Sequence, residues 1–176
     1  MQVHSMSRAF IKNDAGTDQA VVPRRAPLPP GATNYVTPRG MAMLREELAG
    51  LEAERARLVN SGGSDETDRT LQAGSLAQRI REIISRIESA KVVDPAGQPR
   101  DKVRFGTTVT VRTIAGRQPG EERRLTIVGV DEAAPPAGLV SFLSPIASAI
   151  IGLRVGETAS LRTANGEEDL EIVEIV

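Results

Sequence analysis

Two apolar seams, each stepping by three and four residues, flank a cluster of turn formers. No other feature constrains the chain as much. The first seam is Met41, Leu44, Leu48, Leu51 and Leu58, spaced 3, 4, 3 and 7. Such steps keep side chains on one face of a helix. The skipped slot holds Arg55, whose stem can pack while its head reaches water. The second seam is Leu76, Ile80, Ile83, Ile87 and Ala90, spaced 4, 3, 4 and 3. Between the seams lies Asn60-Ser61-Gly62-Gly63-Ser64, a helix-breaking run. Thr37 is placed to cap the first helix, with Pro38 at its first position. The second helix is predicted from about Asp65 to Lys91. Asp65, Glu66 and Asp68 fall in its first turn, where carboxylates favour the helix dipole. Two seams joined by a short glycine loop predict an antiparallel helical hairpin over residues 34–94.

Residues 1–33 read as a flexible tail. Pro23, Pro27, Pro29 and Pro30 remove amide donors and favour extended, unpaired chain. Met6 is an alternative start to Met1. Residues 95–100 form a linker, after which the pattern changes. Thr107 to Arg112 alternates with β-branched residues, and Leu125 to Val128 and Leu139 to Phe142 are short apolar strands. Ser144 and Pro145 open a short helix that Gly152 ends. Thr158 to Thr163 and Leu170 to Ile175 pair around Asn165-Gly166, a hairpin signal. Residues 101–176 are therefore expected to form an antiparallel sheet with one helix, and the whole chain an α+β protein.

Composition narrows the chemistry. Aromatics are 2% of the 176 residues, which leaves little for base-stacking platforms. Residues 37–94 carry nine Lys and Arg against ten Asp and Glu, and residues 101–176 eight against eleven. No segment is strongly basic, so autonomous nucleic-acid binding is disfavoured and a protein partner is the better expectation. The absence of cysteine excludes thiol catalysis and Cys-based zinc sites. The single histidine, His4, lies in the tail, away from any triad partner. No apolar run is long enough to span a bilayer, and no signal pattern opens the chain, so a cytoplasmic protein is expected.

The last 75 residues or so resemble the C-terminal domain of the bacterial Gre transcription elongation factors. The matching stretches are Val103-Arg104-Phe105-Gly106-Thr107-Thr108-Val109, Ile127-Val128-Gly129-Val130-Asp131-Glu132-Ala133 and Ala137-Gly138-Leu139-Val140-Ser141. The most specific is Ser144-Pro145-Ile146-Ala147-Ser148-Ala149-Ile150-Ile151-Gly152-Leu153-Arg154-Val155-Gly156-Glu157. Tyr35 to Gly40 with Leu44 to Leu48 resembles the opening of the Gre coiled coil, and Arg79 to Asp94 its close. The resemblance implies an FKBP-like sheet domain. It also implies a factor that binds RNA polymerase, inserts its arm into the secondary channel and rescues backtracked complexes by stimulating the polymerase's own transcript cleavage. Such a factor is not itself an enzyme. It needs no cofactor of its own, meets nucleic acid only within the elongation complex, and is expected to be a monomer.

The resemblance fails at the hairpin tip. The family carries Gly-Asp-Leu-x-Glu-Asn-Ala-Glu-Tyr there, whose acidic side chains help hold a second polymerase magnesium. This chain has Gly62-Gly63-Ser64-Asp65-Glu66-Thr67-Asp68-Arg69, and its arm is shorter. Asp65, Glu66 and Asp68 are the right chemical type for Mg²⁺, or an ordinary acidic helix start. Arg69, Arg79, Arg81 and Arg86 read either as an RNA-facing basic strip or as a solvated face balanced by Glu82 and Glu88. Ser144 and Pro145 are candidates for polymerase docking, or simply a cap and first turn.

The missing motif makes a non-cleaving channel regulator a rival within the class. The regulator of nucleoside diphosphate kinase, with a short arm, is a further relative. From other classes come an FKBP-type prolyl isomerase, for which the domain offers only Phe105 and Phe142, and a coiled-coil adaptor, which would need a free apolar face on the arm.

Overall fold

The computed structural model describes residue 25 and residues 27–60, 66–164 and 166–176. The chain runs β1 (Asn34–Val36), α1 (Pro38–Asn60), α2 (Glu66–Glu88) and β2 (Ala90–Val92). It continues through β3 (Thr108–Ala115), β4 (Glu122–Val128), β5 (Leu139–Ser141), α3 (Pro145–Ile150), β6 (Thr158–Thr163) and β7 (Gly166–Ile175). Helical turns of the tighter 3-10 type occupy Pro95–Gly97, Val130–Glu132 and Pro135–Ala137.

The hairpin forms as its seams require. Met41, Leu44 and Leu51 of α1 are buried against Leu76, Ile80 and Ile83 of α2, with Val36 joining them. Leu48, Leu58, Ile87 and Ala90 pack at the margin. Burying each large aliphatic side chain contributes roughly 1.5–3 kcal/mol. Thr37 caps α1 as expected: its Oγ1 accepts from the Gly40 N–H at 2.9 Å. Arg55 is exposed.

The end of α2 differs from the expectation. The helix stops at Glu88 rather than Lys91, and residues 90–92 form β2, parallel to β1. Asn34 pairs with Ala90 and Val36 with Val92, and the Val93 N–H donates to Val36 O at 2.9 Å. The last turn of a helix leaves carbonyls unpaired in any case, and Asn34 Nδ2 donates to one of them, Arg86 O, at 2.8 Å. The strand residues then satisfy the backbone of β1, which has no other strand neighbour among the described residues.

The segment before β1 also departs from an extended tail. The Ala32 N–H donates to Pro29 O at 3.0 Å, and Gly31 has φ +78. With Pro30 at the second position and glycine at the third, this is a type II turn. The remainder of the predicted tail, residues 1–24 and 26, lies outside the described residues.

The second half is a five-stranded sheet in the order β5-β4-β3-β7-β6. Its alternation is read directly from β3, where Val109, Val111 and Thr113 are buried. Val109 and Val111 join Val103, Leu125, Ile127, Val140, Ala147, Ile150 and Ile172 in an aliphatic core. α3 covers it, capped by Ser144, whose Oγ accepts from the Ala147 N–H at 3.3 Å. Ile146 and Leu153 pack at its edge.

The sheet is not wholly antiparallel. β5 pairs parallel to β4, Thr126 with Leu139 and Val128 with Ser141. The 3-10 turns between them carry the chain back to the start of β4, doing what a crossover helix does elsewhere. The β6–β7 hairpin closes one residue earlier than Asn165-Gly166 predicts. Thr163 pairs with Gly166, and Gly166 opens β7 at φ +120, while Asn165 lies outside the described residues.

Candidate functional site

The arm meets the sheet domain at its base, and the chain's scarce aromatics gather there. Tyr35 of β1 lies 5.8 Å from Phe105 and 5.7 Å from Phe142, ring centre to ring centre, and the two phenylalanines are 5.7 Å apart. Three of the four aromatic residues in the sequence thus form one cluster across the junction. Edge and tilted contacts of this kind add about 0.5–1.5 kcal/mol each beyond the area they bury. Phe105 and Phe142, the two rings an isomerase site would need, are committed to that cluster. Gly129 lets the backbones approach: a Cβ there would sit 2.7 Å from Tyr35 O.

Two adjacent carboxylates in the turn after β4 hold the other side of the junction. Glu132 is 5% exposed. Its Oε2 accepts from the Thr37 hydroxyl, and Arg39 Nη1 stands 3.7 Å from its Oε1. Thr37 therefore uses its oxygen as acceptor for the helix cap and its proton as donor to Glu132. Gly40 makes room, since a Cβ would fall 2.9 Å from Glu132 Oε2.

Asp131 is ringed by cations. Arg86 Nε of α2 lies 3.1 Å from its Oδ2, and Arg25 Nη1 donates to its Oδ1 while Arg25 Nη2 donates to Glu47 of α1. Burial lowers the pKa of Arg25, but the hydrogen bond to Glu47 and the charges of Asp131 and Glu47 outweigh it, leaving the pKa raised. The sequence placed Arg86 either on an RNA-facing strip or on a solvated face, yet it is 7% exposed. The available signal was its place three residues after Ile83 and beside Ile87, at the border of the seam.

The tip is built differently. Asp65 lies outside the described residues. Glu66 and Asp68 are exposed in the first turn of α2. Two residues apart on a helix, their side chains leave the axis in nearly opposite directions. Asp68 lines a shallow groove along the hairpin with Glu54, Arg57 and Arg79. The two described carboxylates do not converge on one point, so the pair does not chelate an ion between them. Among the described residues no three His, Cys, Asp or Glu side chains are gathered to hold one.

The predicted basic strip is not one strip. Arg79 faces α1, with Nη1 4.0 Å from Glu54 Oε2. Arg81, two residues on, lines a separate groove at the base with Arg25, Pro27, Leu28 and Ser85. Arg69 is half-buried near the tip. On the sheet domain Pro145 is exposed at the first position of α3, and Ser144 is occupied as the cap. Leu143, Ile151 and Val155, at 38%, 41% and 57% exposure, surround the two ends of that helix. No helix among the described residues is long and apolar enough to cross a membrane.

Known proteins resemble this chain over both halves. The family model described as "Transcription elongation factor, GreA/GreB, C-term" matches residues 98–176. Transcription elongation factor GreB of Neisseria meningitidis serogroup B is 33% identical over 155 residues, covering 81% of this chain and 93% of that protein. Transcription elongation factor GreA of Alkalilimnicola ehrlichii is 36% identical over 153 residues, covering 80% and 95%. Among solved structures, that of GreA factor homolog 1 (Gfh1) of Thermus thermophilus aligns at 19% identity and a TM-score of 0.37, covering 82% of this chain and 99% of that one. At that score it decides nothing about the fold, which stands on the element order and pairing above.

Proposed function

This chain belongs to the GreA/GreB family of transcription elongation factors, and on that premise we propose that it binds RNA polymerase, inserts its helical arm into the secondary channel and acts on backtracked or arrested complexes. The observation that carries the reading is the arm itself. Its two seams satisfy each other, so what it offers outward is a rod that is mostly polar, with Met43, Val59, Leu71 and Ile84 as scattered apolar exceptions. Such a rod suits entry into a channel better than pairing with another helix. The adaptor alternative lacks the free apolar face it needs.

In the family's usual action, the arm stimulates the polymerase's own transcript cleavage. That is the first reading of what this arm does once inserted. The sheet domain docks the factor, and the exposed apolar side chains around Ser144 and Pro145 are the surface proposed for it. A second reading, occupation of the channel without cleavage, is favoured by one observation: Glu66 and Asp68 diverge at the tip, and the family's acidic motif is absent.

Cleavage of the RNA 3′ end in a purified, backtracked elongation complex separates the two. It is measured with the native chain and with Asp65→Asn, Glu66→Gln and Asp68→Asn combined. Stimulation that disappears in the triple variant supports the first reading. Polymerase binding without stimulation supports the second. Failure to bind polymerase overturns both.

A further inference from the structure

The segment that precedes β1 is steered by proline and glycine. After the type II turn at Pro29–Ala32 the chain enters β1, and before it Pro27 and Leu28 lie along the base of α2, lining a groove with Arg81, Ser85 and Ser89. At the far end of this strap, Arg25 donates to Glu47 on α1 and to Asp131 in the turn after β4. One guanidinium thus bridges the helical arm and the sheet domain. Its planar fork can serve two carboxylates at once, which a lysine ammonium cannot do in the same geometry.

Asp131 is the point on which the arm, the strap and the sheet domain converge. Its side chain is 10% exposed, so its charge needs partners. Arg86 supplies one from α2. That partner is carried by α2 and is itself only 7% exposed. Arg25 is delivered by a strap outside both apolar cores, and it can leave without disturbing either. Prolines at 27, 29 and 30 limit the freedom the strap loses on docking.

We infer that residue 25 and residues 27–33 form a clasp, with Arg25 as its catch, that holds the helical arm at one angle to the sheet domain. Opening the clasp frees the arm to swing about the aromatic junction. Arg25 is a positioning residue, acting at a distance from the tip through the direction of the arm. The inference does not rest on polymerase binding, and either can fail without the other.

The chain has no cysteine, so two introduced ones can be labelled uniquely. Ala53→Cys on α1 and Arg162→Cys on β6 are both at exposed positions. Spin labels there report the arm-to-sheet distance in the full chain by pulsed dipolar spectroscopy. The background protein is expected to give a single narrow distribution. Arg25→Ala is expected to lose it, giving a broad distribution or a second maximum. Glu47→Gln, at an exposed helix position where folding is not in question, is expected to shift the same way to a smaller degree. Raising the salt concentration should broaden the background distribution, since the Arg25–Glu47 contact is open to screening, and should leave Arg25→Ala unchanged. A narrow, salt-insensitive distribution in all three proteins overturns the clasp.

Discussion

The two ends of the arm follow different physics. At the base, Leu44 and Ile83 are each 1% exposed, and the polar groups around them are buried in pairs: Thr37 with Glu132, Arg86 with Asp131. Toward the tip, Val59 is 77% exposed and Leu71 69%, and the first-turn carboxylates face water. Buried polar groups demand geometrically exact partners, so the pairs at the base, with Arg25 in place, favour one arrangement of arm and sheet domain. The tip carries no such demand. Its chemistry is free to differ from that of relatives while the scaffold that aims it stays the same.

The largest effect that could break this contrast is in the seam. Ile83→Ala is expected to cost about 2–5 kcal/mol of unfolding free energy, and Leu71→Ala no more than about 0.5 kcal/mol. Urea titration of both variants measures the difference, and comparable losses would mean the arm is packed alike along its length. A middle-sized effect is expected at Thr37. Thr37→Ala removes the α1 cap and strips Glu132 of a donor, for a loss of about 1–2 kcal/mol. Thr37→Ser keeps the hydroxyl and should recover most of it in the same titration. The smallest effect sharpens the picture of the tip. Glu66→Gln with Asp68→Asn should change stability by less than about 0.5 kcal/mol. A larger loss would show that these carboxylates have a structural role.

The hairpin was legible because its signal is local. Steps of three and four residues are a property of one helix face; Asn60, where the break was expected, still belongs to α1, and residues 61–64 lie outside the described residues. The same holds for β3, whose alternation places Val109, Val111 and Thr113 inside, and for α3, whose cap and proline lie side by side. The base was not legible. Nothing near Ala90 announces a strand, because β2 exists only where β1 waits, more than fifty residues earlier. Arg86 carries the same charge as Arg81 and lies five residues away on the same helix. One is buried against Asp131 and the other is exposed, and that depends on what packs over α2.

The sequence by itself therefore determined the helical hairpin, the strands and cap of the α+β half, the absence of thiol chemistry and the membership that its C-terminal stretches announce. All of these are periodic, compositional or contiguous. Tertiary structure alone decided the parallel β1–β2 pair, the parallel edge at β5, the aromatic cluster of Tyr35, Phe105 and Phe142, and the convergence of Arg25, Arg86 and Glu47 around the Asp131 carboxylate. Each of these joins residues far apart in the chain, and the energy of such a contact depends on burial and on a partner's position, which exist only once the chain has folded.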